Sequence, residues 1–173
     1  MASCVRKRTA RCSHPATLDA APVPMEERMS ATSIPVFDRT IEKTNIWLAR
    51  IGGTMVWDDP HKCYMALRGV LHALRDRLPP AEAVQLAAQL PMLIRGFFYE
   101  GWHPADKPQK YRHKKQFLHR VTEEAPWLQE DEIERLITAV FEILSSELGE
   151  GETNQVRAAL PREIRELWAR PRM

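Results

Sequence analysis

Residues 46–98 read IWLARIGGTMVWDDPHKCYMALRGVLHALRDRLPPAEAVQLAAQLPMLIRGFF, and residues 116–168 read QFLHRVTEEAPWLQEDEIERLITAVFEILSSELGEGETNQVRAALPREIRELW. Laid over one another at an offset of 70 residues and without a gap, the two stretches share one pattern. Trp57 falls on Trp127, Val70 on Val140, Leu74 on Leu144, Leu78 on Leu148, Glu82 on Glu152 and Gln85 on Gln155. Leu90-Pro91 falls on Leu160-Pro161, and Ile94-Arg95 on Ile164-Arg165. Unlike residues often keep their character, as with Trp47 over Phe117 and Phe98 over Trp168. Self-similarity at a fixed period is the mark of a supersecondary unit used twice, because one copy of such a unit cannot bury its apolar face alone.

Each copy reads as four helices. Asp38 is placed as the cap of a first helix running to about Arg50, with Gly52-Gly53 as its stop. Asp58-Asp59-Pro60 opens a second helix, whose stripe Tyr64, Leu67, Val70, Leu71, Leu74, Leu78 has helical spacing. Pro79-Pro80 ends it and opens a short helix through Gln89, and Pro91 starts a fourth helix ending near Trp102. The second copy repeats this order: a helix from about Lys110 to Glu124, then the turn at Pro126-Trp127. A long helix follows from about Glu130 with Gly149 as C-cap, then a short one over about 152–158, and a last one from Pro161 to about Ala169. No strand pattern competes. The expected fold is therefore all-α, two tandem four-helix units packed into one bilobed domain over 37–170. The first unit covers 37–102, a linker 103–109 and the second unit 110–170.

The chain has 173 residues, 44% hydrophobic and 28% charged, which is ordinary for a globular domain with one core. No apolar run approaches the ~18 residues that span a bilayer. The net charge of +2 is uneven. Residues 1–28 carry five basic and three acidic side chains, leaving twenty of each sign in the remainder, so the folded part is expected to be neutral and lacks the basic excess of a nucleic-acid-binding domain. Three cysteines (Cys4, Cys12 and Cys63) are an odd set that makes no disulfide framework and suits a reducing, cytoplasmic setting. Residues 1–36, with Pro15, Pro22, Pro24 and Pro35, read as a disordered leader, with residues 1–28 attributable to a start codon placed too early, since Met25 and Met29 precede the helical pattern.

The run Phe37-Asp38-Arg39-Thr40, then Ala66 to Pro79, then Arg95-Gly96-Phe97-Phe98-Tyr99-Glu100-Gly101-Trp102, closely resembles a bacterial family catalogued as domain of unknown function 2267. The resemblance covers about 37–168. It implies a small cytoplasmic all-helical bacterial protein and supplies no reaction or catalytic residues.

Phe97, Phe98, Tyr99 and Trp102 are the candidate binding surface. Consecutive aromatics span more than half of a helix circumference, so one buried face does not accommodate all of them. Gly96, matched by Glu166, would admit a close approach there. The bland alternative is the seam between the units. Lys107, Lys110, Arg112, Lys114, Lys115 and Arg120 form a candidate basic patch. The acidic run just downstream interrupts it, which argues for a solvated face and against nucleic acid. Glu82 with Arg95 and Glu152 with Arg165 recur at matched positions and are expected to bridge within the scaffold. His61 with Cys63, His119 with Glu123, and Cys4, Cys12 and His14 fall short of a metal signature. No phosphate loop or nucleophile elbow is present. The sequence thus predicts no catalytic residues, cofactor or metal. It points to a non-enzymatic interaction or scaffold protein acting on a protein partner through an aromatic groove between its halves. A small-molecule or lipid-binding cavity at that seam is the first alternative, and a weak nucleic-acid-associated protein the second.

Overall fold

Prolines mark most of the helix starts. The computed structural model describes residues 32–168, and among these every regular element is helical. The order is α1 Pro35–Met55, α2 Pro60–Arg77, α3 Pro80–Gln89, α4 Met92–Tyr99, a 3-10 turn Pro104–Asp106, α5 Lys114–Glu124, α6 Glu130–Glu147, α7 Glu150–Ala159 and α8 Arg162–Arg165. Pro35, Pro60 and Pro80 occupy the first turns of α1, α2 and α3, where the missing N–H is no loss. The Asp59 carboxylate accepts from His61 N at 2.8 Å and caps α2 as its sequence indicates.

Several boundaries differ from expectation, each for a local reason. α1 begins at Pro35, so Asp38 lies in its first turn and not at its cap; its carboxylate accepts from Thr32 N at 2.7 Å. The helix also continues through Gly52-Gly53 to Met55, and Val56, whose left-handed φ is 59°, caps it. There Trp57 N donates back to Gly52 O at 2.9 Å, and a Cβ on Gly52 would lie 2.8 Å from Trp57 O, so glycine admits this tight exit. α4 stops at Tyr99 because Gly101 turns the chain at φ 64°. α5 starts four residues later than expected: residues 109–111 are instead held against α2, with Gln109 N donating to Asp76 O at 2.8 Å and Arg77 Nε to Tyr111 O at 2.8 Å. Gly149 caps the start of α7 and not the end of α6, and α8 is only four residues. The leader, apart from residues 32–36, and the end of the second segment beyond Trp168 lie outside the described residues.

Packing interleaves the two segments. α1 lies on α2, α4 and α6, while α2 also lies on α5. α2 and α5 come close enough that a Cβ on Gly69 would meet Glu124 Cβ at 3.1 Å. α3 packs on α7, where Gln155 Nε2 donates to Gln85 Oε1 at 2.6 Å. Trp57 and Trp127 meet edge to face at 5.4 Å, and the Lys62 ammonium sits 4.0 Å over the first ring and 4.8 Å over the second. The shared core includes Trp47, Leu67, Leu71, Leu74, Phe98, Phe117, Phe141 and Trp168, each fully or almost fully buried. Side chains of this size stabilise by about 1.5–3 kcal/mol each on burial. No helix among the described residues is long and apolar enough to cross a membrane.

Candidate functional site

The first half of α1 and the whole of α4 splay apart into a trough of about 950 Å³. Phe37, Ile41, Thr44 and Leu48 are spaced four, three and four residues apart, so they line one stripe of α1 and form one wall. Met92, Leu93, Gly96 and Tyr99 of α4 form the other, and Tyr64 of α2 with Phe97 lies at the base, their rings edge to face at 5.4 Å. Phe37, Met92 and Leu93 are 41%, 42% and 45% exposed, so the apolar lining opens to solvent. Thr40 fixes the width at one end: its hydroxyl accepts from Leu93 N at 2.9 Å and satisfies a first-turn amide of α4 that Pro91 cannot cap.

The other end of α4 is held by polar side chains of α2 at helical spacing. His72 Nε2 lies 2.7 Å from Phe97 O, and Nδ1 lies 3.2 Å from a Glu124 carboxylate oxygen. Arg75 Nη1 donates to Phe98 O at 2.5 Å and Glu100 O at 3.0 Å, and its Nε donates to Asp76 at 2.9 Å. Arg68 spans Glu100, at 2.9 Å, and Glu124 of α5. Burial opposes the Arg68 charge, but its bonds to Glu100 and Glu124 hold the guanidinium above its ordinary value. His72 and Arg75 are buried, so these carbonyls at the α4 terminus have protein partners in place of water. The matched positions in the second segment are Thr138, Glu142 and Ser145, which carry no cation, and α8 runs only four residues.

The four predicted aromatics separate. Phe98 is fully buried in the core, and Phe97 retains 9% exposure at the trough base. Tyr99 is half-buried on the trough wall, its ring 5.4 Å from Phe98 and 5.3 Å from Trp102. Trp102 packs against the core edge with its Nε1 buried and without a hydrogen-bond partner, and it does not line the trough. The trough's other lining comes from neighbouring residues of α4 and, far from this block in sequence, from α1 and Tyr64, all in the first segment, so it does not lie between the halves as expected. The α1 stripe carries the signal that points to it: Phe37 and Ile41 continue the helical spacing beyond the buried face.

Half of the basic run is answered locally. Lys107 pairs with Asp76 at 3.2 Å, Lys114 with Glu134 at 2.8 Å and Arg120 with Glu123 at 2.6 Å. Lys110, Arg112 and Lys115 are exposed. Tyr111, between them, is buried and donates its hydroxyl to Ala73 O at 3.0 Å. The expected Glu–Arg bridges are not formed. One carboxylate oxygen each of Glu82 and Glu152 is buried without a partner, and Arg165 donates instead to Ala158 O and Leu160 O, the free carbonyls ending α7. His119 reaches Glu123 only at 3.7 Å, and no group of three His, Cys, Asp or Glu residues converges among the described residues. Cys4, Cys12 and His14 lie outside them.

No curated protein matches this chain. A family model described as an uncharacterized conserved protein, DUF2267, matches residues 44–167, from the middle of α1 through the end of the packed helices, taking in α4, its polar clamp and most of the trough. On that match the chain belongs to the DUF2267 family.

Proposed function

We propose that this chain is a non-enzymatic binding module of the cytoplasm. It is built from two tandem four-helix units of one duplicated design, and it receives an amphipathic helix of a protein partner in the trough between α1 and α4. Duplication is supported by contacts between residues 70 apart, Trp57 with Trp127 and Gln85 with Gln155, as a near-twofold axis requires. The exchange of α1 onto α6 and α5 onto α2 supports it too.

The observation that carries the binding role is what the same offset does to the trough. Phe37 is matched by Lys107, Thr40 by Lys110, Tyr64 by Glu134, Met92 by Arg162, Leu93 by Glu163 and Gly96 by Glu166. In the second copy the place is filled by ion pairs such as Lys114–Glu134, and Glu163 accepts from Lys114 N at 2.9 Å. The design therefore tolerates charge at these positions, and the apolar exposure of the first copy serves something other than the fold. Two helices with an apolar stripe each leave a channel that a third helix completes, with anchors every three to four residues. Of the polar groups that line the trough, Thr44 donates to Thr40 O, Thr40 accepts from Leu93 N and Glu100 pairs with Arg68, which favours binding over catalysis.

The test is a photo-crosslinking amino acid at position 93, with position 163 as the control. The proposal expects an adduct at 93 that maps by mass spectrometry to an amphipathic helix of another protein. Phe37→Lys with Met92→Arg, which install the second copy's residues, should abolish it while circular dichroism and melting temperature hold. Adducts only to lipid or small molecules, or equal yields at 93 and 163, would refute it.

A further inference from the structure

A second cavity, about 550 Å³, lies where the last turn of α2 meets residues 112–113 and the turn from α7 into α8. Its lining includes Arg77, Arg112, Arg162 and His113, with Glu163 the one acid. That carboxylate is already engaged, by His113 Nδ1 at 3.2 Å and Lys114 N at 2.9 Å. Arg162 reaches Glu166 at 3.1 Å, but no carboxylate among the described residues pairs with Arg77 or Arg112. Arg77 spends its Nε on Tyr111 O, leaving its terminal nitrogens as donors.

We propose that this corner binds a compact phosphorylated ligand, its oxyanion held by the guanidinium forks of Arg77 and Arg112 and faced by Arg162. Guanidiniums gathered round a concavity repel one another, and an anion with several phosphate oxygens reverses that cost while matching the planar fork. Burial holds the Arg77 guanidinium below its ordinary value; Tyr111 opposes this and the neighbouring Arg112 charge adds to it. The fold does not require them: at the 70-residue offset Arg77 is matched by Glu147, Arg112 by Glu42 and Arg162 by Met92. Compactness follows from the surroundings. Lys107, Lys114 and Arg120 are each paired with an acid, and Glu163 and Glu166 lie beside the cavity, so acids interrupt the basic run around Lys110 and Lys115 and disfavour an extended nucleic-acid backbone.

The test is calorimetric titration of the full chain with inorganic pyrophosphate at low salt. The expected result is one saturable site with Kd below about 1 mM. Arg112→Gln, which breaks no side-chain bond, should weaken it at least about tenfold, as should Arg77→Lys, which keeps charge but loses the fork. Glu163→Gln should tighten it, and Arg120→Gln should leave it unchanged. Absence of saturable heat, wild-type affinity in Arg112→Gln, or tighter and steeply salt-dependent binding of a short DNA duplex would each overturn the proposal. None of these outcomes bears on the α1–α4 trough.

Discussion

Replacing Arg75 by Met keeps most of the side chain's stem while removing the charge that holds the end of α4. Arg75 is 5% exposed in its side chain, so water does not take over its role. The change strips a donor from Phe98 O, which is buried and then costs about 1–3 kcal/mol, and from Glu100 O, which is part-buried and costs less. Asp76 loses one partner but keeps Lys107 at 3.2 Å, so it adds little. The sum is about 2–4 kcal/mol, or a fall in melting temperature of about 6–12 °C for a domain of this size. Arg165→Met is the internal control. It also removes donors from two carbonyls, yet Arg165 is exposed, and water substitutes at a cost below about 1 kcal/mol. Urea denaturation followed by far-UV circular dichroism gives both differences. Amide hydrogen exchange adds the location: in Arg75→Met the amides of α4 should exchange well ahead of those of α2 and α6, by local opening. An Arg75→Met protein within about 1 kcal/mol of the parent would refute the clamp, as would one whose α4 amides exchange only with global unfolding.

Adjacent glycines in the last turns of α1 should respond oppositely to alanine. Gly53→Ala meets nothing within 4 Å and should stabilise by about 0.8–1 kcal/mol, whereas Gly52→Ala forces a Cβ to 2.8 Å from Trp57 O and should destabilise by about 1–3 kcal/mol in urea titrations. The Cys63 thiol, raised by burial and then by the Asp59 charge, should resist an aromatic disulfide reagent in a Cys4→Ser, Cys12→Ser background. Protection of at least ~100-fold is expected, an opening free energy of about 2.7 kcal/mol, and reaction at the unfolded rate would contradict the burial. Burial pushes the Tyr111 phenol above its ordinary value, so its contribution is complete below about pH 10 and is lost above it, where the unfolded chain ionises first. Tyr111→Phe should cost about 1 kcal/mol at pH 8 through the lost bond to Ala73 O, and its urea midpoint should fall less than the parent's between pH 8 and 11. Parallel declines would refute that assignment.

The helices most legible in the sequence are those whose signals are local. α2, α3, α6 and α7 follow from an apolar stripe, from prolines that exclude an interior position, and from Asp59 at a cap. The ends of α1 and α5 escape such a reading, because tertiary bonds set them: Gly52-Gly53 stays helical where Trp57 O packs on it, and the start of α5 is displaced by the docking of Tyr111 on α2. The aromatic block shows the limit for sites. Phe97 and Tyr99 do reach the trough, but Phe98 turns into the core, and periodicity in an eight-residue helix does not separate them. Arg68, His72 and Arg75 read as a polar face of α2, since charged residues are usually solvated. Only the proximity of the α4 terminus, more than twenty residues away, buries His72 and Arg75.

The exchange of α1 onto α6 and of α5 onto α2 also dictates when this protein is able to fold during synthesis. A nascent chain that has cleared the ribosome only through α4 has no α6 on which to lay α1, and no α5 to meet Gly69 or to bring Glu124 to His72 and Arg68. Its α2 stripe stays only partly covered, by α1 and α4, until α5 and then α6 emerge, several seconds later at ordinary translation rates of about 5–20 residues per second. Over that interval the apolar face of α2 is available to any chaperone at the tunnel exit, and the two segments commit to their structure together, near the end of translation, not one after the other.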